Sequence, residues 1–310
     1  MNNSCKQARK SMNIDPRIKK HPLGYWEIEK KPTLEELQKY YADKYFQEAK
    51  GSYELVYSQA ELSYFNAKLN QRFEVIRRHL ITKKRSNPCL LDVGCGEGYA
   101  LAFFRKQDWS VTGIDFSSSG VTSKNPDSLD ALVTGDIFQF LSTEIAAGKH
   151  YDVIWLQNVL EHVLEPVDLL NSLGQLVAPG GMAVVTVPND CSITQRAALV
   201  AQHIDNAFWI VPPDHLNYFD SQSLNNIAKH TGWKCVEMLG DFPVDWFLFH
   251  PKSNYIRDRS VGKAANKARV EIENLINEQP IDNVIKFWSS AAKLGIGRGI
   301  TTFLMRKETK

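Results

Sequence analysis

The sequence predicts an α/β fold built on a doubly wound parallel sheet. Three observations carry this. Between residues 89 and 189, short β-rich runs alternate with segments of helical spacing. The first run, CLLDV, leads directly into GCGEG, with glycine at every second position. Acids stand at or beside the ends of three successive runs, Asp92, Asp115 and Asp136. In such sheets ligands bind at the carboxyl ends of the strands, so the pattern predicts a ligand site as well as a fold.

The totals bound the class. The chain has 310 residues, 43% hydrophobic and 23% charged, an ordinary globular composition. A net charge of +2 gives no field that would draw it to nucleic acid. The basic opening, SCKQARKSMNIDPRIKK, is followed by no apolar segment of signal-peptide type. No apolar run approaches the ~18 residues that cross a bilayer. The five cysteines, Cys5, Cys89, Cys95, Cys191 and Cys235, are scattered and form no CxxC. That argues against a disulfide framework or a zinc site, and for reduced thiols in a cytoplasmic compartment. No metal, nucleic-acid partner or integral membrane segment is expected.

Along the chain, residues 1–32 are basic, carry Pro16, Pro22 and Pro32, and read as a flexible arm. Residues 33–85 read as a helical cap. Thr33 with Glu36 three positions on resembles a capping box and opens an aromatic-rich helix, PTLEELQKYYADKYFQ. GSYELVY reads as a loop. A second helix spans about Gln59 to Ile81, with Leu62, Phe65, Leu69, Phe73 and Ile76 at spacings of three and four. The core takes residues 86–240. Its strands are CLLDV (89–93), SVTGID (110–115), ALVTGD (131–136), YDVIWLQN (151–158) and GMAVVTVPN (181–189). ALAFFRKQD, IFQFLSTEIAAG and PVDLLNSLGQLVA are the helices between them. SQSLNNIAKHTG is a capped helix stopped by Gly232, and WKCVEML a strand. Residues 241–298 form a helical insertion, a candidate acceptor or oligomer region that would suit a homodimer. Residues 299–310 hold a last strand, GITTFLMRK.

The glycine turn narrows the ligand. A dinucleotide fold needs G-x-G-x-x-G, but here Tyr99 takes the third glycine's place and the pattern is G-x-G-x-G. A P-loop ending in Gly-Lys-Ser/Thr is absent. A cofactor without pyrophosphate remains. Gly94, Cys95, Gly96 and Gly98 would clear space for it. Asp92 would meet an ammonium group, and Asp115 the two hydroxyls of a ribose. Asp136 would accept from an adenine amine or cap the following helix. Ile137 or Phe138 would lie against the ring and Phe116 would stack on it, and Gln157 and Asn158 would face the same edge. A nicotinamide-dependent oxidoreductase and a catalytically silent binding protein remain the alternatives.

LLDVGCGEG, VTGID, TGDIF, YDVIWLQNVLEHV and LVAPGGMAVVTVPN together resemble, in order and spacing, the motifs of class I S-adenosylmethionine-dependent methyltransferases. The resemblance covers roughly residues 70–240. It implies a doubly wound, seven-stranded Rossmann-like sheet whose terminal strand is antiparallel, with GITTFLMRK as that strand. It implies S-adenosylmethionine as cofactor and a small-molecule acceptor. HLNYFD (215–220) before a capped helix resembles the branch that modifies sugars and quinone precursors. By that analogy, the expected reaction is O-methylation of a nucleotide- or lipid-linked sugar, with a quinone precursor as the alternative. One of His162 and His215 would be the general base, since histidine titrates near neutrality. Glu161, Asn217 and Tyr218 would contact the acceptor. A structural role is the alternative for each.

Overall fold

The computed structural model describes residues 15–37, 39–40, 56–80 and 87–306. The described residues open with a hairpin, β1 (Ile18–Lys20) and β2 (Trp26–Ile28). The expected capping box is present: Glu36 N donates to Thr33 Oγ1 at 3.2 Å, and Thr33 N to Glu36 Oε2 at 2.8 Å. Tyr41, Tyr45, Phe46 and Tyr53 lie outside the described residues, as does most of the GSYELVY loop. Helix α1 (Gln59–His79) starts at a second capping box, formed by Ser58 and Glu61. Then come β3 (Cys89–Val93), α2 (Tyr99–Arg105), β4 (Ser110–Asp115), α3 (Ser119–Lys124), β5 (Leu132–Thr134), α4 (Ile137–Ala146) and β6 (Tyr151–Gln157). They are followed by α5 (Pro166–Leu176), β7 (Val177–Pro188), α6 (Ile193–Val200), β8 (Asn217–Tyr218), α7 (Ser221–His230) and β9 (Trp233–Gly240). The chain closes with α8 (Gly262–Asn277), α9 (Ile281–Lys293) and β10 (Gly299–Arg306).

Seven strands form one sheet in the order β5-β4-β3-β6-β7-β10-β9. The pairs from β5 through β7 are parallel, and β10 lies antiparallel between β7 and β9. This is the doubly wound sheet with a terminal antiparallel strand that the sequence predicts. Both faces are covered, which is why the strands read as continuous apolar runs. Successive residues alternate between two cores. Leu91, Ile154, Val185 and Leu304 pack with Leu169, Leu173 and Leu224 on one face. Leu90, Val153, Val184 and Phe303 pack with Ile76, Phe104 and Trp288 on the other. The strand order reverses at β3, so the carboxyl ends of β3, β4 and β6 share one edge.

Two expectations are corrected. PVDLLNSLGQLVA is not helical to its end, because α5 stops at Leu176 and β7 begins at Val177. The early part of β7 pairs with the start of β6 (Tyr151 opposite Val177), and the register shifts before Val153 meets Met182. The described part of the expected arm is ordered. β2 pairs with β8 to make a three-stranded sheet, and Ile18, Tyr25 and Ile28 are buried. A third core of Trp209, Ile210, Leu216 and Tyr218 receives Ile18 and Ile28. Among the described residues, no helix is long and apolar enough to cross a membrane.

Candidate functional site

The glycine turn joins β3 to α2. Gly94, Gly96 and Gly98 have φ of 72°, 54° and 75°, the left-handed region that favours glycine. Each glycine is there for a different reason. A Cβ on Gly94 would lie 2.5 Å from Val159 Cγ2, and one on Gly98 3.2 Å from Val121 Cγ2. A Cβ on Gly96 would meet nothing within 4 Å, because that face opens on a cavity. Asp115, at the end of β4, pins the turn: Gly96 N donates to its Oδ2 at 2.8 Å and Ser117 N to its Oδ1 at 3.2 Å. Gly120, in α3, lets that helix approach, since a Cβ there would sit 2.3 Å from Gly96 O.

The cavity, about 520 Å³, lies over the carboxyl ends of β3, β4 and β6 and under α1, a volume suited to a bound small molecule. The structure gathers most of the sequence-predicted residues around it. Asp92, Gly94, Cys95 and Gly96 come from β3 and the turn, Asp115 and Phe116 from the end of β4. Asp136 and Ile137 open α4, and Gln157 and Asn158 end β6. Gly98 stands outside the lining, packed on Val121.

The electrostatics are those of a site short of a cation. Asp92 is 2% exposed, and no described residue donates a hydrogen bond to its carboxylate. Burial, and secondarily the charge of Asp115, pushes its carboxyl up to about 8. Burial also raises Asp115, partly offset by the backbone donors of Gly96 and Ser117. Cys95 is buried and its thiol is driven far up by the same desolvation, so it is a small wall residue and no nucleophile. Asp136 caps α4, accepting from Gln139 N at 2.8 Å, while still reaching the cavity. The rings of Phe116 and Phe138 flank it, both exposed.

Several lining residues escaped the sequence reading. Arg72 donates from Nη1 to Gln157 Oε1 at 2.7 Å, and its guanidinium lies 5.4 Å from the Trp155 ring centre. Lys68 lines the cavity and pairs at 3.0 Å with the buried Glu273 of α8. Tyr57 donates to Glu97 at 3.0 Å, and Glu97 lies in the turn itself. Tyr64, Lys68 and Arg72 recur every fourth position on α1, a stripe visible in the sequence. Nothing in the sequence says that this face meets the sheet edge.

The two candidate bases meet. The rings of His162 and His215 stand edge to face with centres 4.9 Å apart. His162 lines the cavity and His215 lies behind it. His162 Nδ1 is 2.6 Å from Asp214 O; a carbonyl only accepts, so Nδ1 carries a proton and donates. His162 Nε2 is 3.8 Å from Glu161 Oε1, and His215 Nδ1 is 3.7 Å from Asp190 Oδ2. Asp190 is held by Arg298 Nη1 at 3.0 Å. Glu161 is 1% exposed, with no hydrogen-bond partner for either carboxylate oxygen among the described residues, and burial raises its carboxyl well above the usual range. One donor atom from each of Glu161, His162 and His215 lies within 4.8 Å of the others. The sequence analysis expects no metal; these three residues are remote in sequence and adjacent in space.

Asn217 and Tyr218, expected to contact the acceptor, lie behind the cavity. Both are buried in β8 and stand outside the cavity lining. Asn217 Nδ2 donates to Val163 O at 2.7 Å, and Tyr218 Oη to His215 O at 2.8 Å. The Asn217 bond ties the segment that carries His162 to the one that carries His215, and the Tyr218 bond lies within the latter.

Comparison with known proteins places the chain in a family. A sequence profile described as a methyltransferase domain matches residues 61–238. A ubiquinone biosynthesis O-methyltransferase from Colwellia psychrerythraea is 30% identical over 159 residues, covering 49% of this chain and 63% of that protein. The namesake from Saccharophagus degradans is 38% identical over 155 residues, covering 49% and 65%. The chain thus spans slightly less than two thirds of the relatives it matches. A solved SAM dependent methyltransferase from Archaeoglobus fulgidus aligns over 87% of this chain and 99% of its own, at 17% identity and a TM-score of 0.49. With the profile covering more than half of the chain and the sheet wound in the expected order, the chain belongs to the S-adenosylmethionine-dependent methyltransferase family.

Proposed function

We propose that the protein transfers the methyl group of S-adenosylmethionine to an oxygen of a small-molecule acceptor with an aromatic or apolar body. The observation that carries this is the turn at Gly96. Its backbone takes positive φ and opens onto a 520 Å³ cavity, with the buried Asp92, to which no described residue donates, beside it. That carboxylate fits a ligand ammonium group. Asp115 keeps Gly96 N in place with one oxygen and offers its remaining acceptor capacity to ligand hydroxyls. Phe116 and Phe138 suit the faces of a purine.

When bound, S-adenosylmethionine supplies an electrophilic methyl on a sulfonium. This chain's part is to hold donor and acceptor in line and to keep water from the charged centre. Leu34, Leu37, Val163 and Leu164 give the cavity an apolar wall near His162. That wall suits a phenolic, quinone-precursor type of acceptor better than a nucleotide- or lipid-linked sugar, and the O-methyltransferase names of the relatives support the same choice. A hydroxyl must lose its proton as the methyl transfers. The Glu161–His162–His215 cluster is the group on that wall able to promote this.

Calorimetry with S-adenosylhomocysteine, followed by turnover with labelled S-adenosylmethionine on catechol-type phenols and on nucleotide sugars, tests the proposal. Stoichiometric binding and labelled phenol ether are expected. Binding of NAD in place of S-adenosylhomocysteine removes the proposal, and methylation of sugars alone removes its acceptor.

A further inference from the structure

We propose that an apolar platform at the carboxyl edge of the sheet docks the protein onto an anionic phospholipid surface. The platform joins α6, a 3₁₀ helix (Val244–Phe249) that follows β9, and the end of α9. Ile193, Ala197 and Val200 share one face of α6, at spacings of four and three. Trp246 and Phe249 share one face of the 3₁₀ helix, at a spacing of three. Ile193, Ala197, Trp246 and Phe249 line an open groove between the two helices. Leu294 extends it, since a Cβ on the adjacent Gly295 would lie 3.8 Å from Ile193 Cγ2. These side chains face solvent: Trp246 is 54% and Leu294 64% exposed.

The fold imposes this exposure. Gln195 of α6 is fully buried and donates from Nε2 to Oδ2 of the buried Asp245 at 3.0 Å. That bond holds α6 against the 3₁₀ helix, with the neighbouring Trp246 left outside. A contiguous exposed apolar patch of this kind marks an interaction surface.

Charge decides the occupant. Arg196, Lys252 and Lys293 are exposed, within three positions of Ala197, Phe249 and Leu294, and no described residue forms an ion pair with them. The exposed acids of the same segments are engaged: Asp205 by Arg257, Asp282 by Arg78, and Asp258 by the turn at Ser260. The rim is therefore cationic. A second copy of the chain fits it poorly, because a twofold dimer sets a patch against itself and would bring these cations together. An anionic bilayer satisfies both parts. Apolar side chains enter between the headgroups, tryptophan settles at the interface, and the cations meet the negative lipid surface.

The position has a consequence. β10 runs antiparallel to β7 and β9, so its start lies beside the carboxyl ends of both. β6 and β7 are parallel, so the platform and the ligand cavity occupy the same edge of the sheet. Lipid binding itself does not depend on the methyl transfer proposed above. Uptake of an acceptor with an apolar body from the bilayer surface rests on that reading.

The test floats the full chain with phosphatidylcholine vesicles, with and without phosphatidylglycerol, in the absence of cofactor and acceptor. Binding to the anionic vesicles is expected, at least about fivefold tighter than to the neutral ones, together with a blue shift of the tryptophan fluorescence. Trp246→Ser combined with Phe249→Ser should weaken it at least about tenfold. Arg196→Glu combined with Lys293→Glu should remove the preference for anionic lipid. Both variants should melt, and bind S-adenosylhomocysteine, as the wild type does. A wild-type chain that floats with neither vesicle overturns the proposal, as does equal binding to both or binding unchanged in the Trp246/Phe249 variant. Self-association in sedimentation that Trp246→Ser abolishes assigns the platform to a second copy and also overturns it. Each of these results leaves the methyl-transfer reading intact, whereas a chain that floats but does not bind S-adenosylhomocysteine removes that reading and keeps the docking surface.

Discussion

At the scale of single residues, Asp92 sets function against stability. Its carboxyl is raised to about 8 by burial and by Asp115, above the ~3.9 of an unfolded chain. The folded state therefore binds the extra proton between those values, and stability falls as pH rises through that window. Asp92→Asn should raise the melting temperature of the ligand-free protein at pH 8 by a few degrees, and by much less at pH 4. The same change should weaken S-adenosylhomocysteine binding at least about tenfold, because a charge-assisted contact of roughly 1.5–3 kcal/mol is lost. Wild-type affinity should rise between pH 6 and 8 as Asp92 ionises. A flat profile, or a variant that melts lower, would show that Asp92 is satisfied by the protein alone. Gly96→Val makes the complementary case. It forces a branched residue to φ 54° and points its side chain into the cavity, so a folded protein unable to bind S-adenosylhomocysteine is expected. Normal calorimetric binding by that variant would mean that the turn does not face the ligand. The residues of this turn were legible because their constraint is local: glycine spacing and strand-end acids are written within a few positions. The Glu161–His162–His215 cluster was not. Each residue was singled out, but the contact between positions more than fifty apart comes from β8 and its neighbours.

At the scale of elements, the hairpin of β1 and β2 is where the sequence reading failed. Strands of three residues reading IKK and WEI show too little alternation to be told from a solvated arm. What they build is nonetheless structural. β2 pairs with β8, and Ile28 N donates to Leu216 O at 2.9 Å. Tyr25 is 2% exposed, its ring centre 4.2 Å from that of His21 and 5.0 Å from that of Phe219. The hairpin thus backs the segment that carries His215. Tyr25→Ala should destabilise the protein by about 3–5 kcal/mol, the usual range for losing a buried ring. Urea denaturation measures it, and a loss under 1 kcal/mol would restore the arm. The helices fared better. The capping box expected at Thr33 is present, and the one at Ser58, which the sequence analysis did not name, obeys the same four-residue rule, which needs no tertiary context. The start of β7 did not, because its strand character depends on β6 being alongside.

At the scale of the whole molecule, the ligand cavity and the foundation of the sheet come from different stretches of chain. Among the described residues, every one that lines the cavity lies between Leu34 and Leu164. The later residues supply β7, β9 and β10, and β10 is the keystone because it is wedged between the other two. That placement was legible only through the family resemblance: nothing in GITTFLMRK says that it enters the sheet ahead of a strand made earlier in the chain. The arrangement separates stability from binding. Leu304 is fully buried on β10, opposite Ala183 on one side and Cys235 on the other, and takes no part in the cavity lining. Leu304→Ala should cost about 2–5 kcal/mol of stability. The folded fraction should still bind S-adenosylhomocysteine within about twofold of the wild type at a temperature well below its melting point. Deleting residues 299–310 goes further. β9 and β7 each lose their β10 partner, and each is left with an unpaired edge. The truncated chain should fail to melt cooperatively although every lining residue is retained. Calorimetry and thermal melts on the two variants separate the possibilities. A Leu304→Ala protein of normal stability would deny β10 its keystone role. One that is folded but does not bind would mean that the far edge of the sheet shapes the cavity after all.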